Sequence, residues 1–334
     1  MDELIEHVRI HRQGGAEELE VERLALAPPA AGEVRVRQVA AGVNFLDVYY
    51  RNGLYPLAQL PATLGVEGAG VVEALGAGVT GFVPGQRVAY TGLMGAYAAA
   101  RNVPAERLVA VPDDVDLDAV AGGLLRGVTA HMLFAHVRQL RPGDTVLVHA
   151  AAGGLGLVLT QWASALGARV IGTVGSRDKA ALALAHGAER VVLYREEDFV
   201  AAARDFGGGR GVDYAIDGIG GTNLLRTFDA VRPYGMAVNV GQAGGKVEPL
   251  DLMQIAAPRA LAFARPSVMR FMTEPELYRE GVQATLARLA AGLRVPVGLD
   301  LPFARAAEAH AALEAGRTSG AVLLRPDTGD QKIA

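Results

Sequence analysis

The stretch most suited to chemistry is Val146-Leu147-Val148-His149-Ala150-Ala151-Ala152-Gly153-Gly154-Leu155-Gly156: a short apolar run, a turn of small residues, then an apolar periodic segment. Small side chains let the backbone approach a pyrophosphate. A helix that starts there adds free N–H groups and the positive end of its dipole. Glycines also serve plain helix–strand packing, but a strand–turn–helix followed by four more strands points to nucleotide binding. The next strand ends in Thr173-Val174-Gly175-Ser176-Arg177-Asp178-Lys179. NAD sites place an acid about 20 residues past the glycines to hold the ribose 2′-hydroxyl. Here glycine, serine and two cations stand in that region, which predicts a 2′-phosphate and hence NADP(H). The plainer alternative is a solvated helix start, with Asp178 on its dipole.

None of the 334 residues is cysteine. Thiolate nucleophiles, disulfides, iron–sulfur clusters and cysteine-ligated zinc are therefore excluded. The seven histidines are scattered and read mostly as surface or helix-packing residues. His131 and His136 lie i, i+5 apart, a poor metal pair on an α-helix, so no metal site is expected. The net charge of −4 gives no basic excess for nucleic acid or an anionic membrane. Met1 to His11 mixes charges with Leu4, Ile5 and Val8 and lacks the apolar core of a signal peptide. Residues 146–174 are too often broken by polar residues and glycine to span a bilayer. A cytoplasmic protein is expected, with a short frayed tail over 327–334.

The elements that must position these residues change character along the chain. Residues 33–39 alternate polar and apolar, as a half-buried strand does, and Val71-Val72 and 86–90 add short strands between glycine turns. This predicts a barrel-like β-domain, with a short helix over 44–50. One helix is predicted over 119–137. Strands at 146–148, 169–174, 190–193, 212–216 and 236–240 then alternate with helices at 155–166, 178–186, 196–205 and 223–230. That alternation predicts a doubly wound parallel sheet. Helices at 274–291 and 304–315 and a strand at 321–324 close the chain.

From about residue 4 to Pro326 the sequence resembles the zinc-independent NADPH:quinone oxidoreductases of the medium-chain dehydrogenase/reductase superfamily. The segments that carry the resemblance are Val43-Asn44-Phe45-Leu46-Asp47-Val48-Tyr49-Tyr50-Arg51-Asn52-Gly53-Leu54-Tyr55-Pro56, Leu64-Gly65-Val66-Glu67-Gly68-Ala69-Gly70, His149 to Gly156, Leu193 to Asp198 and Arg265-Pro266-Ser267. The resemblance implies an α/β protein: an N-terminal GroES-like β-barrel domain (1–125 and 268–334) plus a Rossmann doubly wound parallel sheet domain (126–267), the C-terminal segment returning to the first domain. Zinc-dependent relatives carry a ligand histidine where this chain has Val66. Asn44, Tyr49 and Tyr55 are implied around nicotinamide and substrate, although by residue type alone they read as a capping asparagine and packed tyrosines. Asp47 would orient that loop, and Glu67 reads as a remnant of the zinc pattern.

The implied NADPH contacts are Met132, Gly153, Gly154, Leu155, Gly175, Ser176, Lys179, Tyr194, Ile219, Val240, Gly241, Gln242, Arg265 and Arg317. Val240 stands where the family often has an aromatic residue, and the spacing around Arg317 varies among members. The implied activity is NADPH-dependent reduction of quinones or α,β-unsaturated carbonyls by a homodimer paired through sheet edges near Phe263. The alternatives are an enoyl-thioester reductase of the same superfamily and an NADPH-binding structural or sensing protein without turnover.

Overall fold

The computed structural model describes residues 4–251, 253 and 259–327; most of the tail predicted to fray lies outside the described residues. The chain divides into two compact units, Met1–Leu125 with Thr285–Ala334, and Arg126–Ala284.

The first unit opens with β1 (Leu4–Ile10), β2 (Glu20–Ala25) and β3 (Glu33–Gly42), then α1 (Phe45–Arg51). β4 (Ala62–Thr63), β5 (Glu67–Leu75), β6 (Arg87–Thr91), β7 (Ala100–Pro104), β8 (Val109–Ala110) and α2 (Leu117–Ala121) follow. The alternation at 33–39 becomes β3, with Val34, Val36 and Gln38 buried and the arginines between them half-buried. α3 (Leu124–His131) carries the chain into the second unit.

That unit continues with a π-helix at Met132–Val137, β9 (Thr145–Val148), α4 (Gly154–Ala165), β10 (Arg169–Val174), α5 (Arg177–Ala185) and β11 (Arg190–Leu193). Then come α6 (Phe199–Phe206), β12 (Val212–Asp217), α7 (Gly221–Ala230), β13 (Val231–Asn239), β14 (Ala262–Ala264), α8 (Val268–Phe271) and α9 (Pro275–Ala290). Its sheet is parallel, in the order β11-β10-β9-β12-β13-β14. The order reverses between β9 and β12, and open α/β sheets bind ligands beyond the carboxyl ends of the strands at such a point. Leu147, Ile171, Val192 and Ala215 lie in the core beneath it, with Phe199 and Phe228.

The returning segment adds β15 (Val297–Pro302), α10 (Ala306–Glu314) and β16 (Ala321–Arg325) to the first unit. β16 pairs antiparallel with β3 through Leu323–Gly42 and Leu324–Ala41, and β15 runs parallel beside it. One core joins Val8 and Ile10 of the β2-β1-β4 sheet to Val34, Val72, Val88 and Val322 of the larger sheet.

Two expectations change. The single helix predicted over 119–137 is three elements. It breaks at Gly122 and Gly123, residues that hold a helix poorly, and both fill tight places: a Cβ on Gly122 would lie 2.8 Å from the Ala321 Cβ, and one on Gly123 2.5 Å from the Ala119 carbonyl oxygen. It then widens into the π-helix, where the Arg138 amide donates to the Leu133 carbonyl five residues back, at 3.0 Å. Residues 268–284, expected in the catalytic domain, belong to the nucleotide-binding unit. There Phe271 stacks edge-on against His136, and His131 is hydrogen-bonded to Glu280.

Candidate active site

Between β9 and α4 the chain turns through Ala150, which has a φ of 50°, an uncommon conformation for a residue with a Cβ. One of the turn's glycines is required by neighbouring backbone, and a second lies against a side chain. A Cβ on Gly156 would sit 2.2 Å from the Ala150 carbonyl oxygen, and one on Gly154 would sit 2.5 Å from the Nε of Arg126. A buried guanidinium thus lies against the start of α4, where that helix presents its free N–H groups. Arg126 escapes sequence reasoning because it lies 28 positions upstream of Gly154 on another helix.

His149 fixes the floor of this turn. One ring nitrogen meets the Thr173 hydroxyl and the other the Thr227 hydroxyl, both at 2.9 Å, and Thr227 donates to Asp217 Oδ2 at 3.0 Å. Burial pushes the histidine's pKa down, only partly offset by Asp217, so the ring stays neutral and bridges donor to acceptor. The ends of β9, β10 and β12 are held in one network.

The structure brings Gly175, Ser176, Lys179 and Tyr194 together. A Cβ on Gly175 would lie 3.2 Å from the Tyr194 hydroxyl, and Ser176 caps α5 by accepting from the Lys179 amide at 3.4 Å. Partial burial, and then the positive charge of Arg195, hold the Lys179 ammonium below the usual lysine range. Arg195 itself stands over the Tyr194 ring at 5.8 Å. Arg177 projects away, its side chain 86% exposed. The electropositive partner of Lys179 is therefore Arg195, sixteen positions on, rather than neighbouring Arg177. The charge of Arg195 beside Lys179 makes this end of β10 electropositive.

Ile219 and Val240–Gly241–Gln242 also meet. The Val240 amide donates to the Asp217 carbonyl, and those of Ala243 and Gly244 to Gly218 and Ile219, at 2.7–3.1 Å. Met132 is buried at the start of the π-helix, and exposed Arg265 follows β14. Arg317 lies in the first unit, exposed just after α10.

Within the first unit, α1 positions the three residues expected around the substrate. The Asn44 amide N–H donates to Asp47 Oδ2 at 2.8 Å, which sets the helix start. The Asn44 side-chain amide donates to Glu67 Oε1 at 2.7 Å, while Glu67 Oε2 accepts from the Leu125 amide at 2.7 Å. Glu67 is thus the fixed anchor of Asn44. One turn on, Tyr49 packs edge-on against Tyr55 with ring centroids 5.3 Å apart, and Tyr50 adds a third ring at 5.9 Å. The Tyr55 amide closes this loop on the Tyr49 carbonyl at 2.9 Å. Beneath lies a buried chain. The Tyr97 hydroxyl donates to Asp47 at 3.1 Å and meets His310 Nε2 at 3.1 Å, His310 Nδ1 meets Arg51 at 3.3 Å, and Arg51 pairs with Glu314 at 2.7 Å. Burial, then Arg51, lowers the His310 pKa to about 3. Val66 is fully buried beside Glu67.

Comparison with known proteins agrees with this architecture. Residues 30–113 match the alcohol dehydrogenase GroES-like domain, and residues 154–287 match the zinc-binding dehydrogenase family. A 2-haloacrylate reductase from Burkholderia sp is 40% identical over 95% of this chain and 98% of its own length. A quinone oxidoreductase from Pseudomonas aeruginosa is 38% identical over 97% of this chain and all of its own. The crystal structure of the Escherichia coli quinone oxidoreductase in complex with NADPH superimposes with a TM-score of 0.92 at 36% identity, covering 96% of this chain and all of that one. With a GroES-like unit, a Rossmann unit and whole-length likeness of this degree, the chain belongs to the NADPH:quinone oxidoreductase family of the medium-chain dehydrogenase/reductase superfamily and is an oxidoreductase.

Proposed function

We propose that this enzyme uses NADPH to reduce quinones and related α,β-unsaturated carbonyls, without a catalytic metal. The observation that carries the substrate class is the Tyr49–Tyr55 pair beside the anchored amide of Asn44. It offers aromatic faces for a flat conjugated ring and polar groups for its oxygen. The metal-free reading rests on the sequence: Val66 replaces a ligand and cysteine is absent.

The residues present fit the cofactor. Gly153, Gly154 and Leu155 at the α4 start, with Arg126 against them, would hold the pyrophosphate. Gly175, Ser176, Lys179 and Tyr194, with Arg195, would hold the 2′-phosphate. Ile219, Val240, Gly241 and Gln242 would line the nicotinamide side, and Met132, Arg265 and Arg317 complete the assignment. When bound, NADPH supplies the hydride. The chain's share is positioning: Glu67 holds the Asn44 amide, Asn44 and Tyr55 orient the substrate oxygen, and the tyrosine rings shield it from water. Tyr49 or solvent would deliver the proton. A Tyr49→Phe variant with unchanged kcat would assign that proton to solvent.

We also read the protein as a cytoplasmic homodimer. Among the described residues β14, which carries Phe263, is the edge strand of its sheet, and a second copy would cover it. Among the described residues no helix is long and apolar enough to cross a membrane.

The test is NADPH oxidation against a panel of quinones, enones, substituted acrylates and enoyl thioesters. Turnover on quinones or enones is expected. Turnover confined to enoyl thioesters would move the enzyme to that reductase class. Tight NADPH binding with no turnover on any of them would make it a binding protein.

A further inference from the structure

On an ideal α-helix, residues five apart point roughly 140° away from each other. The π-helix changes this for His131 and His136, because its i→i+5 bonds set such residues one above the other. Their rings lie 5.3 Å apart, and Glu280 of α9 reaches both: Oε1 is 3.0 Å from His131 Nε2 and Oε2 is 3.4 Å from His136 Nε2. One ligand atom from each of the three lies within 4.8 Å of the others.

We propose that His131, His136 and Glu280 form a site for one divalent transition-metal cation such as Zn²⁺. Two imidazoles and a carboxylate are the ligand types such ions favour, and three protein ligands leave a fourth position for water. Metal–ligand bonds of about 2.0–2.1 Å place tetrahedral ligand atoms roughly 3.3–3.4 Å apart. The two histidine–glutamate separations lie near that spacing, and with all three ligand atoms within 4.8 Å of one another the side chains need to draw in by at most about 1.5 Å. The His131 side chain is 11% exposed and packs near Trp162 and Phe271, and Phe271 also stacks on His136 at 5.1 Å. Two of the three ligands are thus held before the ion arrives, which lowers the ordering cost of binding. His136 also lines a groove of about 330 Å³ with Met132, Ser267 and Arg270, giving an ion and its water a path from solvent. None of the three ligands belongs to the cofactor or substrate assignment above. The bound ion would clip the π-helix to α9 inside the nucleotide-binding unit.

One other histidine–carboxylate cluster exists among the described residues, at His11, Glu20 and Glu22. It has a single imidazole, and Arg9 already pairs with Glu22 at 2.6 Å, so it serves as the control.

The experiment titrates ZnCl₂ calorimetrically into the full-length protein after chelation and dialysis, and repeats it with Co²⁺ to read the visible bands of tetrahedral coordination. One equivalent is expected to bind with Kd of about 1–10 µM. His136→Ala and Glu280→Gln, both at exposed positions, should each weaken it about tenfold or more, while His11→Ala leaves it unchanged. Zn²⁺ should raise the melting temperature of the wild type and leave that of the His136→Ala, Glu280→Gln double variant unmoved. Absence of saturable binding up to about 100 µM would overturn the proposal. So would one-equivalent binding that survives in the double variant or disappears in His11→Ala.

Discussion

Cofactor choice turns on single side chains. A lysine–phosphate contact is charge-assisted and contributes about 1.5–3 kcal/mol. Lys179→Ala should therefore weaken NADPH binding roughly 10- to 100-fold and NADH binding less than about threefold. Arg195→Ala should weaken NADPH in the same selective way, because its charge bears on the same ammonium. Fluorescence titration of both cofactors checks this; equal losses for NADPH and NADH in either variant would remove that residue from the 2′-phosphate site. At this scale the sequence is partly legible. The glycine turn and Lys179 stand in a contiguous strand–turn–helix, so local chemistry reveals them. Arg126 and Arg195 do not show, because what brings them in is the packing of a preceding helix and the pairing of β10 with β11.

At the scale of elements, α10 is tied to α1 by buried His310, which has acid as its weakness. The His310 pKa is about 3 in the folded protein, against an ordinary value of 6.5. The unfolded chain therefore takes up a proton that the folded one refuses. The stability that depends on a neutral His310 is intact above pH 6.5 and is lost as pH falls from there toward 3, by about 1.4 kcal/mol per pH unit. His310→Gln should flatten that part of the profile, as read by denaturant melts from pH 7 to 4. A profile as steep as the wild type's would place the acid sensitivity elsewhere. In the nucleotide-binding unit, His149→Leu takes the ring nitrogen from the Thr173 hydroxyl, while Thr227 keeps Asp217. It should cost about 1–3 kcal/mol, measured the same way. Strands with clean alternation or flanking glycines, such as β3 and β10, are legible from sequence. β1 is not: its buried Ile5, Val8 and Ile10 are spaced three then two, a pattern that fits neither a strand nor a helix. The π-helix is invisible for a related reason, since apolar spacing does not report a change of pitch.

For the whole molecule, two outcomes separate the readings. Activity should survive prolonged chelation, even if chelation strips an ion from His131 and His136. Loss of activity that zinc restores would overturn metal-free hydride transfer. Solution scattering should give twice the mass of one chain, and a monomer would remove β14 from any interface. The two-unit plan was readable because its alternation of strands and helices is long and regular. The division near residue 284 was not, since α9 runs unbroken across it.

The π-helix also makes the chain sensitive to arithmetic. A π-turn is one residue more than the α-helix it interrupts, so spacing, and not composition alone, decides which side chains share a face. Ala135, exposed and chemically inert, lies between the two histidines. Deleting it would let the segment relax to ordinary pitch and make the histidines i, i+4 neighbours, while inserting one residue would drive them out of phase. Shortening and lengthening this one loop of helix by a single alanine should therefore have opposite consequences, although neither alters a polar group. Length variants at this position would show a property of the protein that point substitution does not reach.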